Sequence, residues 1–194
     1  MSYPTNYSVG TDAYTRPALL TRIGRQTLTA AQAATLDADG LLAAEALPDA
    51  AATYTTFEND MPYCRNVTAV CSNTQTGNMT ITGTDIDDNV ITETVALTST
   101  SAVSSTKMYK TVVAIGLPIK VGAETINVGW GDKIGIPFKL SATAANRPIV
   151  KATFGGVIET TAPTLTADAS DLSKNCIDLD SALDGSEVCI YYHM

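Results

Sequence analysis

Residues 85–89, Asp-Ile-Asp-Asp-Asn, have the carboxylate density with which a calcium-binding loop opens. Such a loop needs a glycine at its sixth position to turn the backbone and a bidentate glutamate at its twelfth. Those positions hold Val90 and Ala96. A tight turn between two strands fits better, because Asp and Asn side chains bond their own backbone in turns. The stretch at 129–137, GWGDKIGIP, has the glycine content of a nucleotide-binding loop. Its spacing matches neither the dinucleotide nor the P-loop fingerprint, and no long helix follows. Its glycines read as turn or bulge positions with positive φ. Trp130, the only tryptophan, serves either as a core plug or as an exposed interface anchor, since tryptophan is enriched in both settings.

The remaining reactive side chains are dispersed. His193 is the only histidine and lies beside the last residue, Met194, where a Ser-His-Asp or Cys-His machine has little to hold its imidazole. The carboxylate pairs Asp87/Asp88 and Asp178/Asp180 fall in turn-rich acidic contexts, with no apolar pocket to separate their pKa values. Sequons at Asn6, Asn66 and Asn78 carry little meaning without a secretion leader. Four cysteines fall into two pairs, Cys64 with Cys71 and Cys176 with Cys189, too widely spaced for CxxC metal knuckles. They read as reduced, buried, inert thiols, or as pairs brought close across neighbouring strands. The expectation is a protein that is not an enzyme and uses neither metal nor cofactor.

The elements that would position these residues are mostly strands. The stretch 64–118 is a run of Thr- and Val-rich segments broken by turn residues. Val67, Ala69 and Cys71 alternate with Asn66, Thr68 and Val70, and Met79 and Ile81 alternate with Thr80 and Thr82, which is strand spacing. Residues 90–97 return as the partner strand. Residues 99–106 read as a polar loop, 108–115 as one strand, and 125–128 as a short strand entering the glycine-rich stretch. A further strand begins at 138–140. Gly155-Gly156 joins two strands with hairpin chemistry. Residues 164–166 and 176–179 are short strands, and 187–192 is a closing strand. In the stretch 29–47, Thr29 and Gln32 have capping-box spacing before an Ala-rich run, and Asp39-Gly40 stops it, which predicts a short helix near 29–39. Residues 41–47 resume as a further turn or as a strand.

The 194 residues suit a single domain with an arm. The expected architecture is mainly β, an antiparallel β-sandwich over 29–194 with one short helix and an extended N-terminal arm at 1–28. Tyr3, Tyr7 and Tyr14 beside Pro4 and Pro17 give that arm aromatic anchors for a neighbouring subunit, a disordered tail being the other reading. The net charge of −8 repels the phosphate backbone, and no basic block offsets it, so nucleic acid is disfavoured as a partner. No segment has the apolar length to span a bilayer and the first residues lack a leader's pattern, so synthesis in the cytoplasm and no membrane partner are expected.

The order of the Thr-rich segments carries a resemblance. RNVT at 65–68 precedes TGNMTITGTDIDDNVITETVAL at 76–97 and TKMYKTVVAIGLP at 106–118, followed by VGWGDKIGIPFKL at 128–140 and ALDGSEVCIYY at 182–192. This order resembles the head decoration or auxiliary capsid proteins of tailed bacteriophages. It covers roughly residues 64–192, with Asp88 where that family more usually turns on glycine. The resemblance implies a non-enzymatic virion protein on the capsid surface, binding the major capsid protein and bridging capsomers as a homo-oligomer, with a trimer favoured. Tyr3, Tyr7, Tyr14 and Trp130 are then the expected capsid or intersubunit contacts. A tail or fibre-base protein and a carbohydrate-binding β-sandwich are the alternatives.

Overall fold

A computed structural model describes residues 23–137, 149–168 and 170–193. The fold is mainly β, and every paired strand in it is antiparallel. Its spine is the long strand β9 (Thr125–Gly135), which contains most of the glycine-rich stretch. One side of β9 pairs with β4 (Arg65–Cys71), which pairs in turn with β7 (Val103–Tyr109). The other side pairs first with β2 (Asp37–Ala46) and then with β13 (Cys176–Asp178), beyond which lies β12 (Thr164–Thr166). These strands form the central sheet. A front sheet runs β3 (Ala52–Tyr54), β8 (Thr111–Leu117), β5 (Asn78–Thr84), β6 (Val90–Ala96). An end sheet runs β1 (Ile23–Leu28), β14 (Val188–His193), β10 (Ile149–Phe154), β11 (Val157–Ile158).

Strand alternation builds two cores along the spine. Val67, Ala69 and Cys71 of β4, with Ile126 and Val128 of β9, face Met79, Ile81, Val95, Ile115 and Leu117 of the front sheet. That is sandwich packing. Farther along, Ile134 and the following Ile136 pack with Leu28, Val188, Ile190 and Tyr192 of the end sheet. Each fully buried aliphatic side chain contributes roughly 1.5–3 kcal/mol.

Several sequence expectations are corrected. The helix near 29–39 is a single turn. The capping box forms, with the Thr29 amide donating to Gln32 Oε1 at 3.0 Å and the Ala33 amide to the Thr29 carbonyl at 2.9 Å. It does not propagate, because the next carbonyls accept other donors. Ala33 takes the Gly185 amide, Ala34 takes Arg65 Nη1 and Thr35 takes the Trp130 indole. The chain then enters β2, where helix propensity yields to pairing with β9. The 3-10 turn Leu172–Lys174 is the helical element among the described residues. Residues 1–22 of the expected arm, and the expected strand at 138–140, lie outside the described residues. Residues 23–28, assigned to the arm, are instead a strand paired with β14 over its whole length.

The polar loop at 99–106 gives way to β7, and the single strand at 108–115 is the end of β7 and the start of β8. The chain changes sheets at Lys110, where no turn residue marks the change. The glycines of the spine have no positive φ; among the described residues the positive-φ glycines are Gly155, Gly156 and Gly185. Gly131 and Gly135 are small for a different reason. A Cβ on Gly131 would collide with the Asn66 amide, and one on Gly135 would lie 2.6 Å from Cys64 Sγ. The bulge expectation does hold, since the β4–β9 register shifts between Arg65 and Val67.

All four cysteines are free and buried. Neither expected pair lies across neighbouring strands: Cys64 and Cys71 are at the two ends of the β4 segment, while Cys176 and Cys189 belong to different sheets. Cys64 packs instead with Met108 and Cys176. Burial, with Asp85 adding to it, pushes the Cys64 thiol up to about 12. Burial also raises Cys71, Cys176, Tyr109 and Tyr192. These groups stay protonated in the fold while the unfolded chain releases their protons. Their contribution is full below the unfolded thiol pKa and is lost as pH rises towards the folded values. Urea midpoints should therefore hold steady up to about pH 8.5 and fall progressively above it. Cys64→Ala should flatten that decline, and an identical decline in the variant would contradict the assignment.

Candidate docking surface

The front sheet presents a face on which threonine is the main residue, at seven of ten positions in register. In β5 the period of two turns Met79, Ile81 and Gly83 inward and Thr80, Thr82 and Thr84 outward. The register places Thr53, Gly116, Thr80 and Thr94 in one row. Ala114, Thr82 and Thr92 form the next, and Thr111, Thr84 and Val90 the third. A register shift between Thr82 and Gly83 opposite β8 leaves Val113 as an extra residue, 51% exposed. Neighbouring hydroxyls bond across the strands, Thr82 to Thr92 at 3.3 Å and Thr84 to Thr111 at 2.7 Å.

No residue of these rows is charged, in a chain whose net charge is −8. The lysines at its border are occupied, while the exposed Asp87 of the β5–β6 turn leaves one carboxylate there. Lys110 bonds both carboxylate oxygens of Asp88 at 2.7 and 2.8 Å, and Lys120 meets Asp49 at 2.7 Å. Lys107 donates to the Thr92 carbonyl and pairs with Asp171 at 3.6 Å. Glu93 of edge strand β6 accepts the Thr106 and Lys107 amides of β7 at 2.8 and 3.0 Å. Its carboxylate thus ties the front sheet to the central sheet. Three seven-residue strands with the short β3 beside them span roughly 20 Å by 20 Å, a face on the order of 400 Å² at most.

The stretches singled out for chemistry have structural roles. Asp85 Oδ1 accepts the amides of Asp87 and Asn89, each at 2.9 Å, and Asp88 takes positive φ, so 85–89 is the hairpin turn expected. Among the described residues no three His, Cys, Asp or Glu side chains converge as a metal site would require. Among them also, no helix is long and apolar enough to cross a membrane. Cys189 departs from the inert-thiol expectation. Burial raises it, but hydrogen bonds from Tyr191, Arg25 and Thr27 bring it below its ordinary value, with Arg25 Nε 3.1 Å from the sulfur.

Of the contact residues expected from the sequence, Trp130 alone falls among the described residues. Tyr3, Tyr7 and Tyr14 lie outside the described residues. Trp130 is 6% exposed and belongs to the first core, with its Nε1 donating to the Thr35 carbonyl at 3.1 Å. It is the core plug of the two readings, not the surface anchor. The threonine face was within reach of the sequence. Thr80-x-Thr82-x-Thr84 and Thr92-x-Thr94 repeat one residue type at strand period across a turn, which puts the repeats side by side on one face. No family model, no curated protein and no solved structure matches this chain.

Proposed function

We propose that this chain is a structural protein of a tailed-phage virion, a capsid decoration protein that binds the outside of the assembled head and bridges capsomers. The observation that carries the reading is the charge-free threonine face on an otherwise acidic chain. A chain that repels polyanions keeps one broad surface free of charge, where another protein surface can approach without desolvating ions. The order of the sequence motifs supports the same class. The major capsid protein is the proposed partner and a trimer the proposed oligomer. Many modest contacts on one lattice add by avidity, so no single contact has to be tight.

The 22 residues before β1 are the proposed arm, carrying Tyr3, Tyr7 and Tyr14. Because residues 23–28 are a paired strand, a clean test of the arm removes residues 1–22 and no more. The deletion should keep the urea midpoint and lower occupancy on heads several-fold; full occupancy would sink the role of the arm.

Electron cryo-microscopy of virions tests the reading directly. Density for this chain should repeat over the shell in a copy number commensurate with the capsid lattice. Density confined to the tail would replace the proposal with the tail or fibre-base reading. The carbohydrate-binding alternative loses its aromatic platform, since Trp130 is in the core.

A further inference from the structure

Resting on the decoration reading, we infer that the threonine face meets an uncharged surface of the capsid lattice through a contact that salt does not weaken. The same contact is too small to hold two copies of this chain together. The occupant follows from charge and area. The rows from Thr53 to Val90 offer hydroxyls, methyls and backbone, and the bordering Lys110 and Lys120 are held by Asp88 and Asp49. Within the rows a basic or acidic partner surface would find no counter-charge, and ions seated on them would lose water without replacement. A partner surface that is itself uncharged loses nothing of this kind. Its polar groups can exchange hydrogen bonds with the outward threonines, two pairs of which bond each other across the strands.

Area separates the capsid from a second copy. A stable pairwise interface buries about 800 Å² on each partner. A face whose flat footprint is at most on the order of 400 Å² falls short of that. Two free chains meeting face to face would therefore part readily, whereas the same area repeated on a lattice, with the arm as a second attachment, is held by effective concentration. The exposed apolar residues Val113 and Val90, at 51% and 75%, flank the threonines and give the contact a dry fringe.

The test uses the purified full chain and purified heads assembled without it, with binding read by co-sedimentation from 50 mM to 1 M NaCl. The apparent Kd should change less than about twofold, whereas a contact built on several ion pairs would weaken tenfold or more over that range. Thr82→Lys and Thr92→Lys, both at outward positions, should weaken head binding at least tenfold with an unchanged urea midpoint. Thr27→Lys, on the outer face of the end sheet, should bind as the parent does. Binding that is strongly salt-dependent, or untouched by the two lysine substitutions, overturns this inference while leaving the decoration reading standing. Failure to bind heads at any salt overturns the decoration reading, and this inference with it. A stable dimer in sedimentation velocity that Thr82→Lys dissolves would assign the face to a second copy instead.

Discussion

Arg65→Ala should cost about 3–5 kcal/mol of folding stability, a third or more of what a domain of this size holds. Arg65 is fully buried, at 0% exposure, at the start of β4 opposite Ile134 of the spine. Its Nη1 donates to the Ala34 carbonyl at 2.6 Å and its Nη2 to Asp132 Oδ1 at 3.3 Å. The first bond secures the aborted helical turn, and the second secures the bulge of β9. Next to it, Asn66 Oδ1 accepts the Lys133 amide at 3.0 Å, and the Ser105 hydroxyl accepts the Val67 amide at 2.9 Å. Side chains of β4 and β7 thus replace ladder bonds that the register shift removes.

Burial opposes charge on both members of the ion pair. It pulls the Arg65 guanidinium down to about 10, with Asp132 only partly restoring it. It also raises the Asp132 carboxyl, despite the opposing effect of Arg65. The pair is thus costly to bury and costlier to break, because removing one member strands the other. Arg65→Met would refill volume yet leave Asp132 and the Ala34 carbonyl without their donor, so it should recover only part of the loss. Asp132 keeps partial access to water, and Asp132→Asn should cost far less than Arg65→Ala. Urea unfolding with a constant m value measures all three. A loss below about 1 kcal/mol for Arg65→Ala would show that the guanidinium is not what holds this junction.

The parts of the fold legible in the sequence are those that local chemistry decides. Gly155-Gly156 takes positive φ at both residues, as the hairpin reading requires, and Asp85 closes its own turn. The alternation in 67–71 and 79–82 reports strand faces because one side of each strand is in the core. The parts misread are those that distant residues decide. Nothing near residues 33–35 reveals that an arginine, an indole and an amide from three other segments will claim their carbonyls. The spine's glycines looked like turn residues because the atoms that crowd them come from Asp37, Asn66 and Cys64. The threonine repeats are legible at strand period, but the charge-free extent of their face emerges only when the strands of the front sheet lie side by side. Trp130 shows the same limit, as its sequence neighbours are glycines while its partners Thr35 and Gly40 lie far off in the chain, before and on β2.

Those partners give the second large effect. Trp130→Ala should lose about 3–5 kcal/mol, the range for emptying an aromatic site in a core. Trp130→Phe should lose about 1–2 kcal/mol, mainly for leaving the Thr35 carbonyl without its donor. The indole fits because β2 carries a glycine beneath it. A Cβ on Gly40 would lie 2.5 Å from the far edge of the Trp130 ring. Gly40 has no positive φ, so alanine there meets the ring and not a forbidden backbone. Gly40→Ala alone should therefore cost about 1–3 kcal/mol through overpacking. In a Trp130→Ala background the ring is gone, and the same substitution should cost close to nothing. A double-mutant cycle read by urea unfolding should return a coupling of at least about 1 kcal/mol. Additive losses would mean that β2 already holds the ring away from Gly40. The close seating of the β2–β9 pair over the first core would then have to come from elsewhere along those strands.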